Sequence, residues 1–237
     1  MDYTPYEVFA REKLGFEFND IHLLVVALTH RSYVNEHKKF GDHNERLEFL
    51  GDAVLELVTS DYLYRNFDKP EGVMTALRSA LVRTESIGDA GKELGYGPLV
   101  LLSRGEKQGS ERAHDVILAD CFEAVIGAIY LDQGYEAAKD FIYKHIIVKI
   151  DTILEEDLWR DPKSYAQELA QKLDGLTPIY KTIKEEGPDH DKTFTVGMYV
   201  ADKMVGMGSG HSKQEAQTEA AREGLKKYRA RLQEKRH

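Results

Sequence analysis

Residues 44–58 read Asn44-Glu45-Arg46-Leu47-Glu48-Phe49-Leu50-Gly51-Asp52-Ala53-Val54-Leu55-Glu56-Leu57-Val58. On a helix at about 100° per residue, Leu47, Leu50, Val54, Leu57 and Val58 fall on one side, which is expected to face a core. Glu45, Glu48, Asp52 and Glu56 crowd into a narrow arc of the other side, with Phe49 among them. Acids spaced this way repel one another. A solvated acidic face would account for the carboxylates alone. It fits Phe49 poorly, because a large aromatic on a polar face usually has a partner surface. A cation site beside an interface accounts for both.

A second stretch carries acids on an apolar background. In residues 116–131, Phe122, Val125, Ile126 and Ile129 form an apolar face, while Asp120 and Glu123 stand one helical turn apart. Ala124, Gly127 and Ala128 permit close approach of another helix. Two acids in so apolar a helix are costly unless a cation answers them, and either a basic side chain or a metal ion would do so.

The rest of residues 1–157 reads as helical throughout. Short helices are expected around the turn at residues 15–19, with Asp20 as a cap. His30, in Thr-His-Arg-Ser (29–32), is expected to hold local backbone. The central helix runs on to about Phe67, and Pro70 breaks it. Further helices are expected over 74–82, 86–94 and 135–157, with 95–109 as a loop. No stretch alternates with period two.

The pattern changes near residues 159–162. Asp161 and Pro162 open a helix to about Leu173. Phe194, Val196, Met198 and Val200 then alternate with polar or small residues, as in a half-buried antiparallel strand. Residues 179–184 and 204–207 supply two more strands, the second after a turn at Asp202-Lys203. Ser212 and Glu215 form a capping box for a last helix, on which Ala216, Ala220, Leu225 and Tyr228 make the buried stripe. Two domains are expected: an all-α domain over 1–157 and an α-β-β-β-α domain over 161–232.

Charge divides at the same place. The net charge of −9 over 237 residues is uneven: residues 1–157 hold 17 Lys and Arg against 29 Asp and Glu, and residues 158–237 hold 15 against 12. An acidic body with a basic end suggests two modules with different tasks. A single cysteine, Cys121, allows no intrachain disulfide. The longest apolar run, residues 23–28, is too short to span a bilayer. With no export signal at the N-terminus, a cytoplasmic location is expected.

Asn-Glu-Arg-Leu-Glu-Phe-Leu-Gly-Asp (44–52) and Ile-Leu-Ala-Asp-Cys-Phe-Glu-Ala (117–124) resemble the two acidic motifs of the ribonuclease III endonuclease domain. Residues 29–32 and 78–82 resemble its flanking boxes. Residues 163–171, 187–194 and 206–213 resemble a double-stranded-RNA-binding domain. The resemblance spans nearly the whole chain, in the order typical of bacterial ribonuclease III. It implies a homodimer that cuts double-stranded RNA with Mg²⁺, Mn²⁺ being able to substitute, to staggered ends with 5′-phosphate and 3′-hydroxyl. Ribosomal precursor and other structured RNAs, messenger RNAs included, are the expected substrates. By motif, Glu48, Asp52, Asp120 and Glu123 would be the catalytic and metal-binding carboxylates, with Glu45 and Glu71 as accessory acids. Phe49 would enter a socket on the other subunit. In the second domain, Gln167, Glu168 and His190 would meet the minor groove, and Ser212 and Lys213 a phosphate.

The chain departs from the family at Gln214, where a second basic residue is usual, and at Ala166, where Leu is common. In the catalytic module, Ser103, residues 109–111 and Val116 also differ. No catalytic carboxylate is lost. Hydrolysis of a phosphodiester with bound Mg²⁺ needs a few carboxylates and the substrate phosphate as oxygen ligands, and no Cys/His pattern with zinc spacing competes. A binding protein that does not cut would not need all four acids. An all-helical protein scaffold is the third reading, and it predicts no RNA retention.

Overall fold

The computed structural model describes residues 2–188 and 192–234, with side chains described through residue 232. The chain forms two units, divided between Trp159 and Arg160.

The first unit is all-helical. Its elements are α1 (Thr4–Phe9), α2 (Ile21–Ala27), α3 (Arg31–Glu36), α4 (Glu45–Asn66), α5 (Glu71–Val82), α6 (Thr84–Leu94), α7 (Glu111–Gln133), α8 (Tyr135–His145) and α9 (Ile150–Glu155). The core is organised around α7, where Phe122, Ile126 and Ile129 are fully buried. This helix packs on α4, α6, α8 and α2. Glycines bring it backbone to backbone with two of them. A Cβ on Gly51 of α4 would overlap the carbonyl of Glu123, and one on Gly127 of α7 would overlap the carbonyl of Leu47. On α6, a Cβ on Gly88 would stand 2.9 Å from the Asp115 carbonyl oxygen.

Helix starts follow the sequence. The Asp20 side chain accepts from the His22 N–H at 3.0 Å, and the Ser110 hydroxyl from the Ala113 N–H at 3.2 Å. His30 caps α3, its Nδ1 accepting from the Ser32 N–H at 3.3 Å, so it holds local backbone as expected. The α4 helix begins at a buried joint: the Asn44 N–H donates to the Thr29 carbonyl at 2.9 Å, and its amide reaches Cys121 Sγ at 3.8 Å.

In this unit the expectations for Leu57 and for residues 135–157 are corrected. Leu57 does not face the core; it is 57% exposed, and Gly51, Leu55 and Thr59 fill the buried side of α4 instead. The buried stripe follows the α7 contact, which glycine draws in, and this leaves Leu57 on the exposed side, facing α5. Residues 135–157 do not form one helix. The chain turns at residues 146–149, burying Ile146, Ile147 and Ile150 together, while Lys149 Nζ donates to the Ser86 carbonyl at 2.6 Å.

The second unit comprises α10 (Pro162–Asp174), β1 (Ile179–Glu186), β2 (Thr193–Val200), β3 (Lys203–Gly210) and α11 (Lys213–Glu234). The strands form an antiparallel sheet in the order β1-β2-β3. Val200 pairs with Lys203, so the tight turn lies one residue earlier than expected, at Ala201-Asp202, with Ala201 at φ 52°. Val196, Met198 and Val200 meet Ala216, Ala220, Leu225 and Tyr228 in the core. Far from the start of α11, Tyr228 donates to Asp174 at 2.7 Å, and Arg231 grips the same carboxylate at 2.6 and 3.0 Å. Among the described residues, no helix is long and apolar enough to cross a membrane.

Candidate active site and nucleic-acid interface

The crossing of α4 and α7 sets one acidic cluster. The i, i+4 spacing puts Glu48 and Asp52 on one edge of α4, and Gly51 between them lies against Glu123 itself. Asp120 sits one turn before Glu123. Burial raises the pKa of Glu48, and the fields of Asp120, Glu45 and Asp52 raise it further. Burial likewise raises Asp120; Glu45 adds to this, while the nearby His30 works against it. Glu123 is pushed up to about 8 by burial and by Asp52, Glu48, Asp120 and Glu56. The structure thus brings Glu48, Asp52, Asp120 and Glu123 together, with Glu45 at the edge.

Glu45 faces a basic rim. Arg31 Nη1 lies 3.3 Å from its carboxylate and His43 Nδ1 3.8 Å. No basic side chain pairs with Asp120 or Glu123 among the described residues. The donor set is all oxygen, which suits a hard divalent ion. No three of these side chains already converge on one point among the described residues. Mg²⁺ needs no such cage, because it keeps several waters and takes substrate phosphate as a ligand.

Glu71 lies elsewhere in the chain. It accepts from the Thr75 hydroxyl at 2.9 Å and lines a groove of about 460 Å³ between α4 and α5, with Leu57, Ser60, Tyr64, Met74 and Arg78. Phe49, 80% exposed, starts an apolar stripe on α4 that continues through Leu57 and Tyr64, the latter 78% exposed. Arg78 was not legible as a partner in the sequence. Its Nε contacts Glu56 at 2.9 Å, and its Nη1 donates to Ser60 Oγ at 2.9 Å.

In the second unit, Asp161 caps α10 by accepting from the Ser164 N–H at 2.8 Å. Gln167 and Glu168 are exposed on α10, and Glu168 pairs with Arg160 at 3.1 Å. The capping box of α11 is formed: the Glu215 N–H donates to Ser212 Oγ at 3.1 Å, and Glu215 accepts from the His211 N–H at 2.9 Å. Lys213 lies 2.8 Å from Glu185 and over the Phe194 ring. His190 lies outside the described residues.

Residues 20–150 match the Ribonuclease-III-like family, and residues 162–228 match the double-stranded RNA binding motif. The chain belongs to the ribonuclease III family. Ribonuclease 3 of Protochlamydia amoebophila is 46% identical over 214 residues, covering 90% of this chain and 88% of that protein. Ribonuclease 3 of Enterococcus faecalis is 45% identical, covering 91% and 94%. Among solved structures, the nuclease domain of ribonuclease III from Campylobacter jejuni superimposes with a TM-score of 0.54 at 41% identity, covering 58% of this chain and 94% of that one. The ribonuclease III match ends inside α9, and the RNA-binding match begins at the first residue of α10.

Proposed function

We propose that the chain is a Mg²⁺-dependent endoribonuclease that cuts double-stranded RNA as a homodimer. The observation that carries this reading is that four carboxylates from α4 and α7 lie within one another's fields, with no basic side chain paired to Asp120 or Glu123 among the described residues. Glu48, Asp52, Asp120 and Glu123 are the residues that would hold Mg²⁺, with Mn²⁺ able to substitute. Bound metal supplies an activated water and charge neutralisation at the departing oxygen. The raised pKa of Glu123 lets that carboxyl hold a proton when no cation is bound, and yield it when one arrives.

The chain's own residues then divide the work. Gly51 and Gly127 fix the spacing of the two acid-bearing helices. Arg31, beside Glu45, offers positive charge at the edge of the cluster, where a phosphate backbone would pass. Phe49 enters the α4–α5 groove of a second copy, and Glu71 in that groove serves as an accessory acid. In the second unit, Gln167, Glu168 and His190 face the minor groove of A-form RNA. Ser212 and Lys213 at the start of α11 meet a phosphate, helped by the helix N-terminus there. Family membership supports products with 5′-phosphate and 3′-hydroxyl ends, and a role in processing ribosomal precursor and messenger RNAs in the cytoplasm.

Incubating a long RNA duplex with the protein in Mg²⁺ and in EDTA tests the reading. Shortening of the duplex in Mg²⁺ alone is expected. Equal persistence under both conditions would refute it.

A further inference from the structure

Glu56 follows Asp52 by one turn of α4 and extends the ladder Glu48–Asp52–Glu56 toward the C-terminus. Its field reaches Glu123. Within this ladder Glu56 is answered, because Arg78 reaches across from α5 at 2.9 Å. The same guanidinium receives Ser60 as a second partner, one turn further along α4. One planar fork thereby bridges two residues one turn apart on the neighbouring helix, a geometry that the single ammonium of lysine does not reproduce. Arg78 also forms part of the wall of the groove that holds Leu57, Tyr64 and Glu71.

We infer that Arg78 is a positioning residue for the carboxylate cluster: paired with Glu56 and Ser60, it neutralises a fifth acid beside Glu123 and ties the groove wall to the metal-binding edge of α4. This rests on the metal-dependent nuclease reading above. Without the guanidinium, the Glu56 carboxylate adds a fifth negative charge to the cluster and is free to compete for the cation that the other four would hold. Removing that carboxylate should then repair the loss of Arg78. A residue that merely braced α5 would show no such repair.

The test uses the full chain as R78Q, R78K, E56Q and the double variant R78Q/E56Q. Three quantities are read: steady-state cutting of a long duplex, the rise in melting temperature of metal-free protein on adding Mg²⁺, and oligomeric state by sedimentation. R78Q is expected to lower kcat about tenfold with KM little changed, a size typical of coupled neighbours. It should also need more Mg²⁺ for both half-maximal rate and half-maximal thermal shift. R78K should recover little. R78Q/E56Q should regain most of the lost kcat and a Mg²⁺ requirement close to that of the unmodified protein. A double variant no better than R78Q, or an R78Q enzyme with unchanged kcat and Mg²⁺ requirement, would overturn the inference. If the unmodified protein shows neither Mg²⁺-dependent cutting nor a thermal shift, the nuclease reading itself has failed.

Discussion

Gly51 on α4 meets the backbone carbonyl of Glu123 on α7 with no space for a side chain between them. At this crossing the two acid-bearing helices are thus spaced by backbone contact. Gly51→Ala is expected to destabilise the catalytic unit by about 1–3 kcal/mol or more, because neither backbone can yield without moving its helix. Urea denaturation should show the loss, and residual folded protein should cut slowly because Glu123 has been displaced.

Glu123→Gln removes the most strongly perturbed acid of the cluster and changes its size little. Cutting should fall by roughly 10²–10³-fold or more, the scale seen when one preorganised electrostatic group is removed. Binding to a duplex in a gel-shift assay should be nearly unaffected, because Lys213 and the other proposed RNA contacts of the second unit are untouched. Loss of binding to the same extent would break the proposed division of labour.

Because burial and its acidic neighbours raise Glu123 to about 8, the metal-free folded unit keeps a proton that the unfolded chain has already released above the ordinary carboxylate range. Between that range and about pH 8 the unfolded state binds fewer protons, so stability falls as pH rises. Glu48 and Asp120, also raised, act in the same direction. Melting temperature without metal should therefore drop from pH 5 to pH 8, and Mg²⁺ should restore more at pH 8 than at pH 5. In Glu123→Gln both the slope and the rescue should shrink.

Phe49 is the most exposed large apolar side chain on α4. If it anchors the second copy, Phe49→Ala should weaken the dimer by about 2 kcal/mol or more, roughly 30-fold in dissociation constant. Sedimentation equilibrium measures this directly, and fold stability measured at high protein dilution should be unchanged.

Lys213 is expected to contribute a phosphate contact. Lys213→Ala should weaken binding to duplexes of any sequence alike and reduce the salt slope of binding by about 1. Titrations at several salt concentrations check both.

The acids were legible because their chemistry is written in helical spacing: 48 and 52 on one helix, 120 and 123 on another, with Gly127 and Ala128 marking the close approach. The exposure of Phe49 was legible because an aromatic there breaks the polarity of its face. Leu57 was misjudged, since a wheel cannot tell which of two apolar edges a neighbouring helix will cover. The turn within 135–157 was hidden by a run of Ile residues that suits a buried helix as well as a buried bend. Arg78 and Glu56 lie on different elements, and no local pattern pairs them. The ion pair of Lys213 with Glu185 likewise joins the start of α11 to the end of β1, contacts that only tertiary folding creates.

The grip of Arg231 on Asp174 carries a lesson for trimming the protein. The matched RNA-binding motif stops at residue 228, yet a chain cut there would lose Arg231 and its two-pronged grip on Asp174 at the end of α10. The folded boundary therefore reaches at least one helical turn past the recognisable motif, and fragments made for binding studies should retain Arg231.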